Sequence, residues 1–71
     1  MTQIAFLLYQ RMTALDFVGP YEVLSRLPGA ETRFVTAHPG VIHTDMGLVV
    51  QAPDGYDDVP RPDIVVGLPP V

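Results

Sequence analysis

Ala14-Leu15-Asp16-Phe17-Val18-Gly19-Pro20-Tyr21-Glu22-Val23-Leu24 is the stretch on which the fold turns. Before it lies an apolar run, Ile4-Ala5-Phe6-Leu7-Leu8-Tyr9, and after it a β-like run, Arg33-Phe34-Val35-Thr36-Ala37. Strand, helix and strand within about thirty residues is the size of a βαβ unit. The loop that leaves the first strand of such a unit lies at the carboxyl edge of a parallel sheet, where open α/β folds bind ligands. Asp16, between Leu15 and Phe17, is expected in that loop. It is the one position that reads first as chemistry.

Working outward, Ile4 to Tyr9 has strand length and no polar interruption, the pattern of a strand covered on both faces. Gln10 to Thr13 is then a connecting loop. Gly19-Pro20-Tyr21-Glu22 reads as a helix start, with Gly19 as N-cap, Pro20 in the first helical position and Glu22 complementing the dipole. Tyr21, Leu24 and Pro28, with Val23 and Leu27, give the buried face, and Pro28-Gly29 the stop, so the helix is expected over residues 20–27.

A strand over 32–37, ended by His38-Pro39-Gly40, is followed by a hairpin over 41–52 with Gly47 at its positive-φ turn position. Ala52 to Pro62 is turn-rich and acidic and reads as a surface loop. Residues 63–67, Asp63-Ile64-Val65-Val66-Gly67, return as a short buried strand, parallel to 3–9 and 32–37. One short helix covers one sheet face and leaves the other without a layer, so the sequence reads as a truncated α/β domain, unstable as a monomer.

Composition narrows the function classes. With 71 residues the chain allows one small domain, burying about 60% of its unfolded surface. It has no cysteine, hence no disulfide, thiolate metal site or cysteine nucleophile. The net charge is −4, and Arg11, Arg26, Arg33 and Arg61 are scattered, unlike the clustered basic face of a nucleic-acid binder. The apolar runs are far shorter than a membrane span, and no signal peptide is visible, so the expected compartment is cytoplasmic.

The block Asp16-x-x-Gly19-Pro20-x-Glu22-Val23-Leu24, with Asp45-x-Gly47-Leu48 and Asp63-Ile64-Val65-Val66, resembles the ThiJ/PfpI superfamily. This is the class I glutamine amidotransferase-like group, and the likeness is greatest to its isonitrile hydratase branch. The resemblance implies a flavodoxin-like three-layer α/β sandwich, of which this chain is the amino-terminal part, and a homodimer. It implies a lyase that hydrates isonitriles to N-substituted formamides, using a cysteine on a strand-to-helix elbow and an acid at the first strand-helix junction. Asp16 matches that acid. A small-molecule substrate is implied, with no metal and no organic cofactor. The same block occurs in the ligand-sensing domains of some AraC-type transcription regulators, which is the alternative reading.

Two departures bear on the carry-over. The nucleophilic cysteine is not among these residues, so the chain alone is expected to be inactive. The family's Pro-Gly-Gly turn is replaced by Gly67-Leu68-Pro69-Pro70-Val71, which puts an amide contact there in doubt and suggests a truncated or frameshifted reading frame. Gln10, where relatives often carry Pro, is a minor difference.

Asp16 could cap the turn before the helix. Glu22 reads as a dipole partner, and Tyr9 as a packing residue that could line the site. His38 and His43 have no third ligand of clear spacing, so zinc is not expected. Asp54, Asp57 and Asp58 lack the alternating ligands of a calcium loop and read as solvated.

Overall fold

The computed structural model describes residues 2–67. In chain order it contains β1 (Thr2–Leu7), α1 (Leu15–Leu24), β2 (Ala30–Val35), β3 (Gly40–His43), β4 (Val49–Ala52), a 3-10 turn (Tyr56–Asp58) and β5 (Ile64–Val66). Three strands form a parallel sheet in the order β2-β1-β5, and β3 and β4 form a separate antiparallel hairpin. The fold is α/β and mainly parallel, as the apolar runs predict, and flavodoxin-like, as the family resemblance implies.

The uninterrupted apolar run places β1 at the centre, where it pairs on both edges. Register puts Ile4, Thr32 and Ile64 in one row and Phe6, Phe34 and Val66 in the next, on the face that α1 covers. Phe6 is fully buried. Its ring meets Tyr21 edge-on at 5.6 Å and Phe34 at 5.6 Å, and Phe17 stands edge-on to Phe34 at 6.4 Å. Such aromatic pairs add about 0.5–1.5 kcal/mol each beyond the area they bury.

That cluster explains why the helix starts earlier than expected. It begins at Leu15, not Pro20, and Asp16 lies in its first turn instead of in a loop. Phe17, Tyr21 and Leu24 follow the three-and-four spacing of one stripe, and that stripe packs on the sheet only if residues 15–19 are helical. Pro20 therefore sits inside the helix. It has no N–H to give the Asp16 carbonyl four residues back, a local cost that tertiary packing outweighs.

The helix also ends earlier, at Leu24. Arg26 folds back, its Nε donating to the Glu22 carbonyl at 2.8 Å and Nη2 to the Glu22 carboxylate at 3.4 Å. Other boundaries move less. β1 ends at Leu7, though the Leu8 N–H still donates to the Val35 carbonyl at 2.8 Å. β2 spans 30–35 instead of 32–37.

The hairpin forms as expected, with Ile42 opposite Val50 and Gly47 at φ +93° in its turn. It is tied to the β1–α1 loop. Arg11 N–H donates to the His43 carbonyl at 2.7 Å, and Asp45 N–H to the Met12 carbonyl at 3.0 Å. The Gln10 side chain donates to the Val41 carbonyl at 2.8 Å and accepts from the His43 N–H at 2.9 Å.

The sheet's second face carries Gln3, Ala5, Leu7, Glu31, Arg33, Val35 and Val65. It is not bare. Val59 closes over Ala5 and Val35, and Val65 remains 54% exposed. Asp54, expected to be solvated, instead forms a parallel bridge to Val35 and a two-pronged pair with Arg33, Nε to Oδ2 and Nη2 to Oδ1, both 2.8 Å. The guanidinium holds the Asp54 carboxyl below its ordinary range, chiefly by hydrogen bonding. Among the described residues no helix is long and apolar enough to cross a membrane.

Candidate functional site

The chain leaves β1 to build β2 on one side and later returns to build β5 on the other. The strand order reverses between β1 and β5, and at such a point the loops part and open a crevice over the carboxyl ends of the strands. A cavity of ≈ 380 Å³ lies there, lined by Tyr9, Met12, Asp16, Phe17, Val66 and Gly67. Four of these residues follow β1 or open α1, and two close β5.

Local geometry positions each wall. Arg11 adopts a left-handed conformation, φ +68°, uncommon for a non-glycine residue. Its N–H bond to the hairpin holds it there and turns the chain into α1. Gly67, at φ +95°, passes so close to β1 that an added Cβ would lie 3.3 Å from the Leu7 carbonyl oxygen. A side chain there would be strained by the positive φ and would crowd the Leu7 carbonyl.

Asp16 is exposed, and its carboxylate takes no hydrogen bond from the described residues. The helix start at Ala14 has no side-chain cap, so Asp16 does not serve as the turn cap that a shorter reading would assign. Its backbone N–H donates to the Thr13 carbonyl at 3.0 Å, and the side chain is left available at the cavity wall.

Other candidates separate cleanly. Tyr9 lines the cavity and packs against the helix-side core. Glu22 pairs with Arg26 on the helix surface, away from the cavity lining. Among the described residues no three His, Cys, Asp or Glu side chains converge as a metal site would need, around His38, His43 or elsewhere. Met12, Phe17, Val66 and Gly67 were not singled out from the sequence as lining. Their signal was positional: Met12 and Phe17 come after β1, and Val66 and Gly67 close β5, which pairs beside it. The turn over Leu68 to Val71 lies outside the described residues.

No family model matches the chain. An isonitrile hydratase from Pseudomonas putida is 32% identical over 63 residues, covering 89% of this chain. A solved DJ-1 superfamily protein from Agrobacterium tumefaciens superposes with a TM-score of 0.75 at 25% identity, over 94% of this chain. The chain is ThiJ/PfpI-like. An AraC family transcriptional regulator from Pseudomonas putida superposes equally well, TM-score 0.75 over 92% of the chain, at 15% identity, which shows the shared fold alone. The ThiJ/PfpI-like chain spans 28% of the hydratase's length and 38% and 44% of the two solved chains.

Proposed function

We propose that this ThiJ/PfpI-like segment supplies the acid–base side of an isonitrile-hydrating site, with Asp16 as the proton carrier. The observation that carries the reading is the unengaged Asp16 carboxylate on the cavity at the strand-order reversal. Kinship with an isonitrile hydratase supports it.

In this chemistry a thiol adds across the terminal carbon of the isonitrile. Asp16 takes the thiol proton and returns it to that carbon, giving a thioimidate. Water then adds and expels the thiol, leaving an N-substituted formamide. The thiol is not in this sequence, which has no cysteine. An acid–base group by itself contributes about 10²–10⁴-fold, so the 71-residue chain is expected to bind isonitriles without turning them over.

Two measurements test the reading. Butyl isocyanide titrated into the labelled chain should shift the amides of Asp16, Phe17, Val66 and Gly67, and Asp16→Asn should weaken that response. Formamide produced by the purified chain, and lost in Asp16→Asn, would overturn the assigned division of labour.

A second reading is a ligand-sensing domain of the AraC-regulator kind, supported by the equal structural likeness to such a regulator. There the same cavity would bind without chemistry. The coding sequence that follows codon 71, read in three frames, separates the two: a cysteine elbow favours the hydratase, a helix-turn-helix region the regulator. The partner in either case is a second copy of the chain, for which Leu15 and Val23, 72% and 69% exposed on one side of α1, offer apolar surface. Sedimentation equilibrium tests that association.

A further inference from the structure

The carboxyl edge of the sheet holds a second cavity. It measures ≈ 310 Å³, lies beyond the ends of β1 and β2, and is lined by Tyr9, Gln10, Thr36, Ala37 and His38. It shares one residue with the Asp16 cavity, and that residue is Tyr9.

Two of the other walls of the second cavity, Gln10 and Thr36, are tied down. Gln10 is held by two hydrogen bonds to β3, to the Val41 carbonyl and from the His43 N–H. Thr36 is buried, with its N–H donating to the Asp54 carbonyl at 3.0 Å. The Tyr9 side chain is different. It makes no hydrogen bond to the described residues, is half buried against the α1-side core, and borders both cavities.

We propose that the second cavity is a tail subsite for the molecule whose reacting head lies beside Asp16, and that Tyr9 sets how long that tail can be. The proposal rests on the isonitrile reading of the Asp16 site. An isonitrile has a compact head and an apolar tail. Burying tail methylenes is worth about 0.8 kcal/mol each, so a tail too long for the first cavity gains most by entering the next one. The ring of Tyr9 closes that route.

The test is an amide-shift titration with butyl and octyl isocyanide on the 71-residue chain and two variants, Tyr9→Ala and Tyr9→Leu. Tyr9→Leu keeps an apolar body against the core and serves where Tyr9→Ala loses its dispersed spectrum. In the unaltered chain butyl isocyanide should shift Asp16, Phe17, Val66 and Gly67, leave Thr36 to His38 unmoved, and bind at least tenfold more tightly than the octyl compound. In the variants the octyl compound should bind as tightly as butyl, with shifts spreading to Thr36, Ala37 and His38. Adding Ala37→Trp to the variant should reverse that gain. Octyl binding equal to butyl in the unaltered chain, or octyl shifts confined to residues 16, 17, 66 and 67 in the variants, would overturn the partition while leaving the Asp16 site intact. Absence of butyl binding in the unaltered chain would overturn the site reading and this proposal together.

Discussion

The two faces of the central sheet are held by different physics. On the α1 side Ile4, Phe6 and Phe17 are buried among Tyr21, Leu24 and Phe34, and their side chains meet through apolar contact and ring geometry. On the opposite side a small apolar group, Ala5, Val35 and Val59, lies beside the polar cluster Gln3, Glu31, Arg33 and Asp54. Among the described residues the buried core of the apolar face holds no titratable group, whereas the charged face responds to pH and to ionic screening. The first face therefore carries the stability of the fold, and the second carries its dependence on conditions.

Phe6→Ala should show the largest effect. Removing a fully buried Phe costs about 3–5 kcal/mol, against roughly 5–15 kcal/mol for a whole domain. Thermal unfolding followed by circular dichroism should lose its cooperative transition. A variant that melts within a few degrees of the parent would mean that the aromatic face does not dominate.

Pro20→Ala tests how the helix reaches that face. An interior proline costs about 3 kcal/mol relative to alanine, partly offset by its smaller unfolded-state entropy. Restoring an N–H four residues after Asp16 should raise the melting temperature. A neutral or lowered value would argue for a helix that begins at Pro20, as the local sequence suggests.

Asp54→Asn probes the charged face and should have a smaller effect. Because Arg33 holds the Asp54 carboxyl below its ordinary range, the pair's contribution is complete above the ordinary Asp value of about 4. It is lost as pH falls through the lowered value of the folded state. Arg33 itself is shifted upward, mainly by its bonds to Asp54 and Glu31, and stays charged throughout. Melting temperature measured from pH 7 to pH 2 should fall less steeply in Asp54→Asn than in the parent. Parallel profiles would remove the pair from the pH response.

Val65→Thr should do least. The side chain is 54% exposed on the polar face, and such surface changes stay within about 0.5 kcal/mol. A loss larger than that in chemical denaturation would show that this face buries more than its exposure indicates.

Legibility in the sequence followed the same division. Strands β1 and β5 and the hairpin were readable because uninterrupted apolar runs and a turn glycine are local signals. The helix start was not, because Gly19-Pro20 has the local form of a beginning while Phe17 is helical only for the sake of Phe34. Arg33 and Asp54 are 21 residues apart, and nothing near either one announces the other. That Asp16 borders the cavity was readable from its place after β1. Its neighbours Val66 and Gly67 were not, since the β2-β1-β5 order that brings them beside it is a property of the whole chain.

The Asp54 bridge gives the sheet a direction of growth. At the outer side of β2 the Phe34 carbonyl and the Thr36 N–H are already taken by Asp54, at 3.3 Å and 3.0 Å. A newcomer docking there would have to strip away both bonds and the Arg33 clasp. The outer side of β5 has no such guard among the described residues, and β5 pairs only with β1. A further strand, whether from the same polypeptide or another, is therefore steered to the β5 flank, the side on which Val66 and Gly67 border the Asp16 cavity.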